Sequence, residues 1–288
     1  MASNKKPAAK AKKGIGAAAL LAVGAICLVA GLLIGKFVIG APTAHNPLNK
    51  VTLTAGELDT VVGTYTYAGE THEITAREVI EDSSSLAIAV KEDGTYDVPT
   101  ADAILGFARN SIIMREAESR GITVTDEDVS AYALEVLGTD DYATIAATYG
   151  LTEEVAKRML SESAVMKELR DQVIADSGVG EAPVPPTQPE DGNHDATSQE
   201  WADYVIALLG DEWDAANNTW ARTDGTYYAT LQTYPISNES ASYEAAEQAY
   251  YIAYTAYTAE SNNAAQEWTN FVNGLLGSAS IEIATLYA

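Results

Sequence analysis

From Thr75 to Val173 the hydrophobic positions recur with a period near 3.6, in five blocks separated by Gly, Asp or Pro. That pattern predicts five short amphipathic helices. Thr75 opens the first, with Glu78 three residues on as its reciprocal capping partner, and Val79 and Ile80 begin its apolar face. Glu92-Asp93-Gly94 closes it. Thr100, after Pro99, caps the second, in which Ile104, Leu105, Ala108, Ile112 and Ala117 share a face. Gly121 ends it, because a left-handed terminal residue is inexpensive only for Gly. Thr125 caps the third, with Asp126, Glu127 and Asp128 in the first turn, where the helix dipole favours negative charge. Val129, Tyr132, Val136 and Leu137 form its apolar side, and Gly138 stops it. Tyr142, Ile145, Ala146 and Tyr149 mark a short fourth helix before Gly150. Thr152 caps the fifth and longest, with Val155, Met159, Met166, Leu169 and Val173 on its face.

The flanks read differently. Val61 to Tyr67 alternates, and a turn at Gly69-Glu70 before His72-Glu73-Ile74 predicts a small hairpin or extended arm. Residues 176–198 carry Pro183, Pro185, Pro186 and Pro189 and read as a linker with extended polyproline character. In residues 199–288, Trp201, Val205, Leu208 and Leu209 mark a helix. Thr226 to Tyr234 alternates as a strand, behind an Asp224-Gly225 hairpin turn and ahead of Pro235. Tyr243 starts a long helix on which Tyr243, Tyr250, Tyr254 and Tyr257 lie within about 60° of one another. Trp268, Phe271, Val272, Leu275 and Leu276 extend it past Asn262-Asn263 to Gly277, and Ser280 to Ala284 forms a last strand. The fold class is therefore mainly α: a bundle of short helices, then a Tyr-rich long helix, with a few short β-strands.

Ahead of the body, residues 15–38 are almost uninterrupted Ala, Leu, Ile, Val and Gly, and about 20 such residues span a bilayer core. Lys5, Lys6, Lys10, Lys12 and Lys13 precede the run. The positive-inside rule then makes residues 1–14 a cytoplasmic tail and puts the body outside the cell membrane as a single-pass protein. A cleaved signal peptide is the rival reading, with small residues at Gly40-Ala41 and Ala44, although its apolar region should be shorter. Residues 39–60 read as a tether containing Pro42 and Pro47. Gly31 and Gly35 have the small-xxx-small spacing that permits a homodimer. Cys27, the one cysteine, lies in the apolar run, so no disulfide forms within the chain; Ile26 before it departs from the small residue of a lipoprotein signal.

Charge is divided just as sharply. The chain carries a net charge of −24, yet seven of its 17 basic residues precede Val51 and all 41 acidic residues follow it. Such a body repels nucleic acid and anionic lipid; its charge fits plain solubility or, as the sharper reading, attraction to basic polypeptides or cations. No catalytic constellation accompanies it. His45, His72 and His194 stand alone, without partners at metal spacing. Asp140-Asp141 and Glu153-Glu154 sit at helix starts, where capping accounts for them. Asp126-Glu127-Asp128 lacks the Gly and terminal Glu of a calcium loop, and no phosphate-cradling Gly motif occurs. No cofactor or metal is expected.

The order of elements carries a family resemblance. An arm ending Ile74-Thr75 leads into a helix. The stretch Glu116-Ala117 … Gly121-Ile122, Val124, Thr125 and Asp126-Glu127 follows, then Tyr149-Gly150-Leu151-Thr152 before the last helix. Residues 61–175 thereby resemble the N-terminal chaperone domain of the SurA/PrsA extracytoplasmic foldases. The resemblance implies a chaperone that holds unfolded or exported polypeptides. Many relatives add a parvulin-type prolyl isomerase domain, but its Gly-Gly-Asp-Leu-Gly-like loop and its histidines are missing from residues 199–288. A degenerate isomerase and a cell-envelope adaptor with one fixed partner remain the alternatives.

A client site of this kind needs apolar, adaptable side chains and aromatic anchors. Ile112, Met114, Met159 and Met166 on the second and fifth helices are candidates, together with Tyr250, Tyr254 and Tyr257 on the long helix. Each also fits a plain packing role: the methionines as core, and the tyrosine stripe as a seam between helices.

Overall fold

The computed structural model describes residues 50–284. Within that span the protein is mainly helical, with nine α-helices among the described residues and short strands between them. No described helix is long and apolar enough to cross a membrane. The expected anchor at 15–38, the cytoplasmic tail, Gly31, Gly35 and Cys27 lie outside the described residues.

The chain divides into two compact units. Among the described residues, the first holds 50–114, Thr123 to Val165, and 281–284. It opens with β1 (Thr52–Leu53), which pairs antiparallel with β4 (Tyr96–Asp97). Residues 50–58, expected as tether, are thus part of the fold: Leu53 and Leu58 are buried, and Lys50 pairs with Glu57. β2 (Val61–Tyr67) and β3 (Glu70–Thr75) form the expected hairpin. Its turn falls at Ala68-Gly69, one residue earlier than the sequence suggested, with φ of 51° and 84°. Two successive positive φ angles match the right-handed twist of the flanking strands. β9 (Ser280–Ile283) lies on the other side of β2, giving the order β3-β2-β9.

The helices follow their punctuation. In α1 (Ala76–Ser83), Thr75 and Glu78 form the reciprocal capping box. This helix ends sooner than expected. Ser84 is extended, and Ser85 starts a separate single turn, α2 (Leu86–Ala89). Serine hydroxyls compete with helical backbone bonds, and Arg158 reaches across to the freed carbonyls of Glu81 and Asp82. α3 (Ala101–Ser119), α4 (Asp126–Leu137), α5 (Tyr142–Tyr149) and α6 (Glu153–Val173) match the remaining four blocks. Val129, Ala133, Ile145, Ala146, Ala156, Leu160 and Ala164 form the core where α4, α5 and α6 meet.

Two caps set a pH dependence. Asp128 is held below the usual carboxylate range by the backbone N–H of Thr125 and then by its hydroxyl. Asp141 is held there by the Thr144 hydroxyl and then by backbone N–H groups. A lowered folded-state pKa adds stability above the ordinary value of about 4, and that stability is lost as pH falls through the lowered value. The melting temperature should drop on acidification below about pH 4. Asp128→Asn with Asp141→Asn should melt lower at neutral pH and fall less steeply in acid; parallel curves for variant and wild type would reject these two caps as contributors.

The second unit holds Arg115 to Ile122 and Met166 to Ser280. β5 (Thr197–Ser198) pairs with β8 (Ala241–Ser242), and β6 (Trp213–Asp214) with β7 (Thr219–Trp220). α7 (Gln199–Leu209) packs on α9 (Tyr243–Gly277), the expected long helix. Their core contains Trp201, Val205, Leu209, Leu231, Tyr243 and Ala246. The end of α3 also meets α9, with the Arg120 guanidinium 4.9 Å from the centre of the Phe271 ring.

The strand expected over Thr226 to Tyr234 is instead a helix, α8 (Thr226–Leu231). Gly225 is its N-cap residue, not half of a hairpin turn, and brings no side chain to cap it. The buried Glu212 carboxylate supplies that function, accepting from the N–H groups of Tyr227 (3.3 Å) and Tyr228 (2.8 Å). An acceptor from a distant element overrides the local alternation of Thr and Tyr.

Candidate functional site

α9 begins inside the core and ends its tyrosines at the surface. Ser242 caps it, and Tyr243 is 3% exposed, edge-on to Trp201 at 5.6 Å and to His194 at 5.0 Å. Two turns on, Tyr250 is half-buried. Tyr251 and Tyr254 are then 50% and 48% exposed, and Tyr257 is half-buried. The rings form a ladder: Tyr250 lies 5.7 Å from Tyr254 at 29°, Tyr250 lies 5.6 Å from Tyr251, and Tyr254 lies 6.4 Å from Tyr257. Residues four and three apart on a helix are surface neighbours, which sets this stacking. None of the four hydroxyls makes a hydrogen bond among the described residues.

At the head of the ladder a second set of aromatics is already occupied. Residues 178–189 contain no helix or strand, yet they are fastened to α7. The Tyr204 hydroxyl donates to the Val184 carbonyl at 2.7 Å, and Trp201 Nε1 donates to the Thr187 carbonyl at 3.0 Å. Pro186 is buried. The expected linker is therefore a strap, and its far end joins α9 through Tyr243 N–H to Ala196 and Glu244 N–H to His194. Burial, then the nearby phenols of Tyr250 and Tyr227, push Tyr204 up to about 12. Burial, followed by its neighbours Tyr254 and Tyr251, also raises Tyr250. Both phenols stay protonated at physiological pH, and Tyr204 acts as a neutral donor.

Of the seven candidate residues, three form this ladder: Tyr250, Tyr254 and Tyr257. Ile112 is fully buried and belongs to the core of the first unit, which fits packing and not a client face. Met114 and Met159 are half-buried in the first unit, and Met166 is half-buried in the second. Tyr251, the most exposed ring, was missed because it lies off the 60° stripe; the Tyr250-Tyr251 doublet was the available signal. Trp201 and Tyr204 were missed as strap-holding groups because their partners are backbone carbonyls.

Other ionisable groups have local partners. His72 stacks on Tyr65 at 5.0 Å and stands 3.6 Å from Glu70, and His194 is 3.8 Å from Glu247. Among the described residues no group of three or more His, Cys, Asp or Glu is placed to hold a metal ion. Compared with family models, curated proteins and solved structures, the chain matches none.

Proposed function

We propose that this chain is a membrane-tethered, extracytoplasmic chaperone-type protein that binds extended segments of unfolded or exported polypeptides. The observation that carries the reading is the tyrosine ladder of α9, half in solvent and with unengaged hydroxyls. A tyrosine ring offers large contact area at low entropic cost, and its hydroxyl bonds to any peptide backbone. Four in a row suit a partner recognised as a chain and not by one sequence. Two features support the setting: the apolar run at 15–38 behind five lysines, and the likeness of residues 61–175 to the SurA/PrsA chaperone domain. The excess of acidic residues in the body favours basic clients and weakens their capture as salt rises.

The full-length chain should suppress aggregation of a chemically denatured, basic client at near-stoichiometric amounts. Tyr251→Ala with Tyr254→Ala should remove most of that suppression. Because both rings are half exposed, the pair should cost less than about 1 kcal/mol of stability. Equal suppression by the variant, or none by the wild type across several clients, would sink the proposal.

A further inference from the structure

The strap shows what this aromatic surface holds. Val184 and Thr187 are three residues apart, and both carbonyls receive aromatic donors, one from Tyr204 and one from Trp201. Polyproline II has three residues per turn, so carbonyls at that spacing face the same way. Proline has no backbone N–H, so a proline-rich segment presents chiefly acceptors to its neighbour. Phenol and indole groups answer that bias, and Pro186, between the two bonded carbonyls in the chain, is buried. A proline-rich chain is also stiff before it binds, so little conformational entropy is lost on docking.

The ladder continues the same chemistry where, among the described residues, two of its rings, Tyr251 and Tyr254, stand half exposed. α7, which carries Tyr204, packs on α9, and Tyr250, Tyr251, Tyr254 and Tyr257 run along that helix. We infer that this exposed ladder is a docking site for proline-rich, extended polypeptide segments, with residues 183–189 as the molecule's own bound example. The inference rests on the peptide-binding reading above and names its ligand class. Proline rings pack against the exposed faces of Tyr251 and Tyr254, and the free hydroxyls donate to carbonyls of the ligand. The acidic side chains Glu247 and Glu260 on the same helix favour a basic residue flanking the prolines.

The test uses the full-length chain and a fluorescent peptide that repeats residues 183–189 and ends in lysine, followed by fluorescence anisotropy. A matched peptide with alanine for every proline serves as comparator. The proline peptide should bind roughly tenfold tighter than the alanine peptide. Tyr251→Ala with Tyr254→Ala should weaken it roughly tenfold, and Tyr251→Phe with Tyr254→Phe, which keeps the rings, by about threefold to tenfold for the lost hydroxyls. Neither residue touches the strap bonds, so undiminished binding to the alanine variant would put the peptide elsewhere and overturn the inference. Equal binding of the two peptides would overturn the proline preference while leaving general peptide capture standing. Binding of neither peptide, with a denatured client still held, would reject the inference alone; failure to hold any client would reject both it and the proposed function.

Discussion

Gly225→Ala is expected to cost the second unit about 2–5 kcal/mol. The backbone at Gly225 has φ −83° and ψ 163°, which any residue adopts, so the penalty is steric and not conformational. A Cβ there would fall inside the van der Waals envelope of the Glu212 carboxylate. Glu212 is 4% exposed, and its oxygens serve the first N–H groups of α8, with Arg222 at 3.9 Å. Evicting it strands two helix-start donors, each worth about 1–3 kcal/mol. All four tryptophans belong to this unit, so their emission reports on it alone. Trp213 and Trp220 lie edge-on at 5.6 Å, and Trp220 meets Tyr228 of α8 at 5.2 Å, close to the disturbance. The urea midpoint of tryptophan emission should fall sharply. Gly274→Ala, in α9 with open space around the new methyl, should instead raise it, adding about 0.5–1 kcal/mol of stability. Equal midpoints for Gly225→Ala and wild type would mean that Glu212 does not hold α8.

The contrast between those two glycines shows which parts of this fold were legible in the sequence. Helix ends governed by neighbours in the chain were readable. Thr75 with Glu78 forms the reciprocal box its spacing suggests, Thr125 caps its helix, with Asp128 found as its reciprocal partner, and Gly121, Gly138 and Gly150 take φ of 74°, 73° and 66° at helix ends. α9 was readable from its 3.6-residue pattern, from Tyr243 to Gly277, and Ser242 proves to be its cap. What depends on a remote partner was not. The acceptor that turns Thr226–Leu231 into a helix comes from Glu212. Residues 50–58 look like tether until Leu53 and Leu58 find a core. Prolines read as a linker by composition, while the groups that pin them, Trp201 and Tyr204, come later on α7. The site divides along the same line: the helical spacing of Tyr250, Tyr254 and Tyr257 is local information, and the degree to which each ring stays uncovered is not.

Gly63 makes the second large prediction, in the first unit. Gly within an alternating strand marks a bulge or a close backbone approach, and both occur here. The β2–β3 register shifts between Val61 and Gly63. On the other edge, a Cβ at Gly63 would stand 2.8 Å from the Glu282 carbonyl oxygen of β9 and 3.0 Å from Ile104 Cγ2. A carbonyl oxygen in a strand cannot swing aside as a side-chain end can, so Gly63→Ala must push β9 off β2 or shift α3. The expected cost is about 1–3 kcal/mol, the range for an overpacked interior. Hydrogen exchange should rise in Val61–Tyr67 and Ser280–Ile283, while tryptophan emission from the second unit stays at its wild-type midpoint. Removing residues 280–288 should lower stability by itself, yet it also removes the nearer of the two clashes. Gly63→Ala should therefore cost less in the shortened chain than in the full one, leaving only the Ile104 contact. That non-additivity is the signature of a direct meeting between the two sites. If the two changes add, β9 is not what Gly63 makes room for.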